Sequence, residues 1–487
     1  MKALTGGRSA ARAWTGRRAE ASSAGARHAR GVTVRDLRRR RPPIAILSLA
    51  LLAAVPTGAG AQEPEVYRLT LGDAVRLAAD RAAPVLEARA RADGADARAR
   101  GATAELLPSL SAGLSWGART FNTASFGLEF PTPPGQDPLF DPAGEVVGPV
   151  HGADVRVRLE VPLLDPGALG RRRSARATAS AVRSEVDAVS AAAAHRAGRA
   201  YLESLRARAE VAAREADLEL ALELVGIAET QVDAGTAVAI DVTRAEAQVA
   251  TVRAQLLTAR HRAALSDLAL RRALRLPEGA GLELVESLDE PVHDKAPPEE
   301  EATEAALARR PELVALQGHR AAASEALSAV HADRLPRLAL SFDDGAYGGR
   351  FSHLLHTYTW NLSVEVPVFD GFERSAEAQE ERARIHELDY RLAEVREDVV
   401  YEVREALQTL GAVDEQVAAA EEWLRLAEME LAQEQERVAA GVAGTADVVE
   451  AALRLNDART ARLDALLAAR EARLELAAVT GRVVELP

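Results

Sequence analysis

The chain has 487 residues, 48% of them hydrophobic and 27% charged, with no cysteine, two methionines and a formal net charge of −13. Residues 1–61 hold 12 of the 60 Lys and Arg and 2 of the 73 Asp and Glu, so the remainder carries a net −23, which argues against nucleic acid as a partner. The absence of cysteine excludes disulfides, thiolate metal sites and a lipid-anchored N-terminal cysteine, so any membrane attachment must come from the fold itself.

Residues 44–55, IAILSLALLAAV, form an apolar run behind the basic cluster Arg38 to Arg41 and ahead of the small-residue pattern Ala59-Gly60-Ala61. This is the pattern of a signal peptide over 1–61, with Gln62 as the first mature residue. The basic segment is long for such a signal, which points to translation starting downstream, at Val32 or Val34. The run is too short for a membrane helix, which needs about 20 apolar residues.

From residue 62 the chain is written twice, as repeats over 62–290 and 300–487, and three landmarks recur in the same order. A helical stretch opened by proline closes on Leu-Pro, Pro84 to Pro108 and Pro311 to Pro336, spacings of 24 and 25. An apolar strand ends in Val-Pro-x-(Leu/Phe)-Asp at Val161 to Asp165 and at Val366 to Asp370. A glycine stands six residues before an aspartate, Gly235 before Asp241 and Gly441 before Asp447, and lies 73 or 74 residues beyond the landmark proline, Pro162 or Pro367.

Each repeat reads helix, strand, strand, long helix, turn, helix. In the first, helices are expected at about 71–106, 168–234 and 238–275, and strands at about 108–130 and 152–162. Between those strands, residues 131–151 hold Pro131, Pro133, Pro134, Pro138, Pro142 and Pro149 and read as an external loop. Residues 277–300, with Pro277, Pro291, Pro297 and Pro298, read as a linker or small irregular layer. In the second repeat, helices are expected at about 302–334, 372–440 and 444–481, and strands at about 336–346 and 354–366. The spacing of Leu392, Val395, Val399, Val403, Ala406, Leu410, Val413, Val417, Ala420, Leu424, Ala427 and Leu431 by threes and fours is a coiled-coil seam. A helix over 372–440 would be a rod of about 100 Å.

The strands decide between a soluble coiled coil and a membrane protein. Tyr358, Trp360, Leu362, Val364 and Val366 alternate with polar residues, as do Val155, Val157, Leu159 and Val161; Leu110, Ala112, Leu114 and Trp116 repeat the pattern more weakly. Trp116, Tyr358 and Trp360 are the expected membrane-facing aromatics. Four strands cannot close a barrel, and open edges are not tolerated in hydrocarbon, so other subunits must complete it; three copies give twelve strands. The expected class is therefore mostly α with transmembrane β, in a trimer.

These landmarks in duplicate resemble the TolC-like outer-membrane efflux protein family, from about Leu69 to Val484. The resemblance implies a homotrimer with a twelve-stranded barrel in outer-membrane lipid and an α-helical barrel reaching through the periplasm. It also implies contact with a periplasmic adaptor and an inner-membrane pump through two hairpin tips, residues 232–241 and 438–447. Asp233, Gly235, Asp241, Gly441 and Asp447 are the candidate tip or gate residues, with Gly235 and Gly441 suited to helix ends and Asp241 and Asp447 to helix caps. Pro162, Asp165, Pro367 and Asp370 mark the strand-to-helix junctions, where proline would end the strand ladder. No phosphate-binding glycine loop, H-E-x-x-H or G-x-S-x-G pattern occurs, so neither a cofactor nor an enzymatic activity is expected. The alternatives are a periplasmic coiled-coil adaptor, which would surround one hairpin with other β segments, and a soluble scaffold, which gives no reason for Tyr358 and Trp360 on an apolar strand face.

Overall fold

The computed structural model describes residues 66–126, 135, 144–290, 296–440, 442 and 444–486. The apolar run at 44–55, Gly441, Pro291 and the loop prolines from Pro131 to Pro142 lie outside these residues. The first repeat contains β1 (Val66–Leu69), α1 (Leu71–Arg81), α2 (Ala83–Ala104), β2 (Ser109–Asn122), β3 (Val146–Leu164), α3 (Pro166–Asp233) and α4 (Ala239–Leu274). After β4 (Gly281–Leu284) the second contains α5 (Glu299–Arg309), α6 (Pro311–Ala332), β5 (Arg337–Gly348), β6 (Leu355–Glu365), α7 (Glu373–Ala439) and α8 (Thr445–Val479).

The duplication extends to strand register. In the β2–β3 hairpin Ser109 faces Glu160 and Leu110 faces Leu159; in the β5–β6 hairpin Arg337 faces Glu365 and Leu338 faces Val364. These are the same positions counted from the landmark prolines Pro108, Pro162, Pro336 and Pro367. A central β3–β5 pairing joins the hairpins into one antiparallel sheet of order β2-β3-β5-β6.

Helices α3 and α7 run for 68 and 67 residues, rods of about 100 Å each. The seam of α7 packs inward, with Leu392, Val399, Val403, Ala406, Leu410, Val413, Ala420, Ala427 and Leu431 all buried. On α3, Ala197 and Tyr201 are buried in the largest core cluster with Val75, Leu202, Leu270, Leu274 and Leu474, and Ala193 packs with Ala82 and Val85.

Four element boundaries differ from the sequence expectation. The helices expected whole over 71–106 and 302–334 are each broken, at Ala82 and Arg310, where ψ is 141° and 120°. A continuous helix would need an N–H from Pro84 or Pro311 and would drive the ring into the preceding turn, so each helix restarts with proline in its first turn. The strand expected to reach residue 130 ends at Asn122 and passes into a 3₁₀ turn, Thr123–Phe126. Its partner, expected over 152–162, starts at Val146, includes Pro149 and ends at Leu164.

The proline-rich linker supplies an element the sequence did not suggest: β4 pairs in parallel with β1, Val66 opposite Gly281 through Leu69 opposite Leu284. Tyr201, fully buried, donates its hydroxyl to Leu69 O at 3.1 Å and so pins this small sheet to α3. Burial holds the Tyr201 phenol well above its usual pKa. Its contribution to stability is therefore complete below pH about 10 and lost as the pH rises further. Tyr201→Phe should cost about 1 kcal/mol in denaturant unfolding; an unchanged midpoint would show that the hydroxyl bond contributes nothing.

Candidate functional site

The sheet has two chemically distinct faces. Directly opposed residues point the same way, so Leu110 and Leu114 of β2, Val157 and Leu159 of β3, Leu340 and Phe342 of β5, and Leu362 and Val364 of β6 share one face. Trp116, Tyr358 and Trp360 lie on it and are 65%, 65% and 66% exposed, a cost in water that a lipid surface removes. Towards the hairpin end the apolar band closes with Trp116 stacked on His151, ring centroids 5.9 Å apart, and His356 bonded to Asp344 at 2.7 Å. Aromatic and polar side chains thus share one level of the sheet, at the hairpin end of the apolar band.

The other face carries Ser111, Ser115, Arg156, Arg158, Asp343, Asn361 and Ser363. Arg158 donates to Asp343 at 2.7 Å across the β3–β5 seam, and Arg156 donates to Thr357 at 3.3 Å. In this chain β2 and β6 are the outer strands of the sheet, and each presents an unpaired ladder edge.

Where strand passes to helix, the two repeats differ. Pro162 does not end the ladder: β3 continues to Leu164, with a register shift between Pro162 and Leu164 that accommodates the missing N–H as a bulge. Pro367 lies beyond the end of β6 at Glu365. Asp165 caps α3 by accepting the Ala168 N–H at 2.8 Å. Asp370 accepts the backbone N–H groups of Phe372 and Arg374, both at 3.1 Å, and the Arg374 bond foremost holds its carboxyl below the usual range.

Around Asp165 lies a cluster that no sequence pattern signalled. Arg171 on α3 donates to Glu105 at 3.0 Å and to Asp333 at 3.0 Å, while Arg337 at the start of β5 donates to Asp333 at 2.5 Å. The cluster ties the first repeat to the second where sheet meets rods. Burial depresses the Arg171 pKa, but the Glu105 bond and the Asp333 charge more than offset it and hold the guanidinium above its ordinary value. Gly167 leaves room for the Asp333 carboxylate, since a Cβ there would sit 1.8 Å from its oxygen. Contacts separated by 162 residues leave no local signature.

At the far end of the rods the corners close as helix-stop chemistry. Gly235 has φ +73°, Thr236 N–H donates to Gln231 O and Gly235 N–H to Val232 O, both at 2.9 Å, the paired bonds of a Schellman end. Asp241 accepts the Val238 N–H and Asp447 the Gly444 N–H, each at 3.3 Å, so both aspartates serve the backbone of their own returning helix. Asp233 is exposed at the end of α3, and Ala439 occupies the matching place on α7. Thr445 donates to Gln231 at 3.2 Å and links the second corner to the first. The tips come together on this bond, far from the Asp165 and Asp370 junctions at the other end of the rods.

Among the described residues no helix is long and apolar enough to cross a membrane, and no group of three His, Asp or Glu side chains is placed to hold a metal ion. None of the curated proteins matches the chain. The fold has close structural relatives. A membrane protein from Pseudomonas aeruginosa superposes with a TM-score of 0.69 at 20% identity, covering 84% of this chain and 93% of that one. The outer membrane protein VceC of Vibrio cholerae gives 0.68 at 19%, over 84% and 96%. The CmeC outer membrane channel of Campylobacter jejuni gives 0.70 at 15%, over 85% of both chains. The family model described as outer membrane efflux protein matches residues 74–274 and 302–482, one segment for each repeat, and the chain belongs to that family.

Proposed function

We propose that three copies of the chain form the outer-membrane channel of a tripartite efflux or secretion system, a passive conduit from the periplasm to the outside. The observation that carries this reading is the four-stranded sheet with one apolar face, one polar face and two unpaired edges. In hydrocarbon each unpaired backbone group costs several kcal/mol, so the edges must meet other copies. Two copies would give eight strands, a barrel filled by its own side chains, whereas three give twelve and leave a water-filled bore lined by Arg156, Arg158, Asn361 and Ser363. Residues 1–61 serve as the export signal. The rods extend the bore through the periplasm.

A passive tube has no energy coupling of its own, so a partner inner-membrane pump drives transport, reached through a periplasmic adaptor at the tips. Asp233, Gly235, Asp241, Gly441 and Asp447 belong to those tips; Gly235, Asp241 and Asp447 shape the corners, and Asp233 is the exposed carboxylate that threefold symmetry would repeat around the bore. The protein carries out transport without covalent chemistry. Detergent-purified complex added to planar bilayers should give discrete ion-conducting steps; a complex of trimeric mass that never conducts would contradict the reading.

A further inference from the structure

Where the sheet gives way to the rods, the first repeat carries cations that no carboxylate of the subunit answers. From Pro166 to Ser184, α3 holds five arginines and no acidic residue, and α2 from Ala97 to Ala104 holds two more, again without one. Some of these have partners. Arg171 pairs with Glu105 and Asp333, Arg183 pairs with Asp96, and Arg98 turns back onto Gly94 O of its own helix. Arg100, Arg172, Arg173 and Arg176 have no hydrogen-bond or ion-pair partner among the described residues, and Arg100, Arg173 and Arg176 are exposed. The chain beyond residue 61 has a net charge of −23, so four unanswered cations at one level stand out against it.

The neighbours of α3 fix which way these cations face. Ala175, Ala179 and Val182 pack on α2, while Gly170, Ser174 and Ala181 meet α6. At 100° per residue the two contact lines stand about 130° apart on the side of Arg171. A helix in a closed ring meets its neighbours across less than 180° on the inside, so Arg171 faces the bore and Arg172, Arg173 and Arg176 face out. Arg100 shares that outer side, one turn along α2 from Asp96, whose partner Arg183 also lies on the wider arc. Between these cations and the apolar band of the sheet lie Leu169, 37% exposed, and Leu107, 57% exposed. Down the outer surface the order is therefore apolar band, leucine, arginine, which is the order of hydrocarbon and headgroup. Side chains on a helix lean towards its N-terminus, which on α3 is the sheet end, and arginine stems are long enough to carry the guanidinium up to a headgroup layer. The second repeat lacks the cluster. Counted back from Gly235 and Gly441, Arg172 and Arg173 correspond to Ala378 and Gln379; counted from Pro108 and Pro336, Arg100 corresponds to Ser328. Of the four, Arg176 alone recurs, as Arg382, so the rod fold itself does not demand the others.

We infer that Arg100, Arg172, Arg173 and Arg176 form a binding site for an anionic phospholipid of the periplasmic leaflet. The guanidinium groups take the phosphodiester, for which their planar forks are suited, and Leu107 and Leu169 meet the first methylenes of the acyl chains. This rests on the outer-membrane barrel reading above and adds a lipid class and the residues that select it. Because the second repeat is neutral at the matching positions, each subunit holds lipid on one sector only.

The test titrates the delipidated complex in detergent with phosphatidylglycerol and, separately, with phosphatidylcholine, and counts bound lipid by native mass spectrometry. The natural protein should prefer phosphatidylglycerol, and added salt should erode that preference. R100Q/R173Q/R176Q should weaken phosphatidylglycerol binding by about fivefold per arginine removed and leave phosphatidylcholine binding unchanged. R100K/R173K/R176K keeps the charge and should keep most of the preference. Equal binding of the two lipids by the natural protein, or a preference that neither salt nor the glutamine variant reduces, would overturn the inference. If the glutamine variant does not assemble, the salt series on the natural protein decides. Free glycerol phosphate should fail to displace the lipid; displacement would make the cluster a site for soluble phosphate and overturn the lipid assignment. A protein that leaves the membrane fraction without detergent would instead contradict the barrel reading, whereas a detergent-extracted trimer indifferent to headgroup charge contradicts this inference alone.

Discussion

Leu362→Arg and Val364→Arg are each expected to cost about 2 to 4 kcal/mol near the bilayer midplane and to reduce the assembled fraction in the outer membrane sharply. Ser363→Arg, between them on the same strand, should be far better tolerated. The three positions lie on one strand and all are exposed, so the contrast isolates the face. Leu362 stands opposite Leu340 and Val364 opposite Leu338 on the apolar side, whereas Ser363 stands opposite Ala339 on the side of Arg156, Arg158 and Asn361, where a guanidinium keeps its water. The measurement is the yield of detergent-extracted complex from outer membranes. Equal losses at all three positions would refute the assigned facing.

The second large effect lies where α3 crosses α6. A Cβ added at Gly170 would sit 2.5 Å from the Cα and 2.7 Å from the Cβ of Ala329, atoms of a helix backbone that cannot swing aside. Gly170→Ala should therefore cost about 1 to 3 kcal/mol by overpacking, although alanine is the better helix former. Gly226, on α3, which is already flanked by α4 and α8 within the subunit, has nothing within 4 Å of the same added atom, and Gly226→Ala should be neutral or stabilise by about 0.4 to 1 kcal/mol. Denaturant unfolding of the two variants in one detergent tests the contrast; a Gly170→Ala protein as stable as the natural one would show that the crossing is looser than its geometry.

The seam from Leu392 to Leu431 was legible because a helix converts spacing directly into facing, and the same holds for the alternation from Tyr358 to Val364. The first corner was legible too, since helix-stop chemistry is local: Gly235 with positive φ, then Asp241 serving the next helix. What stayed hidden depends on residues far apart in the chain. The strands β1 and β4 are four residues each, too short to show a period, and exist because they pair across 215 positions. The Asp333 cluster likewise joins α2, α3 and β5, with no spacing to announce it. The breaks at Ala82 and Arg310 were written in Pro84 and Pro311, but the helical period runs through both and masked them. Pro162 misled in the opposite sense, because the bulge that absorbs a proline inside a strand is a property of the pairing.

The central claim is that the barrel is shared between copies. Its most direct test is extraction of the outer-membrane fraction in mild detergent followed by native mass determination. The account predicts a complex released only by detergent with the mass of three mature chains. A monomer or dimer extracted in aqueous buffer would contradict it and return the long helices to a soluble scaffold.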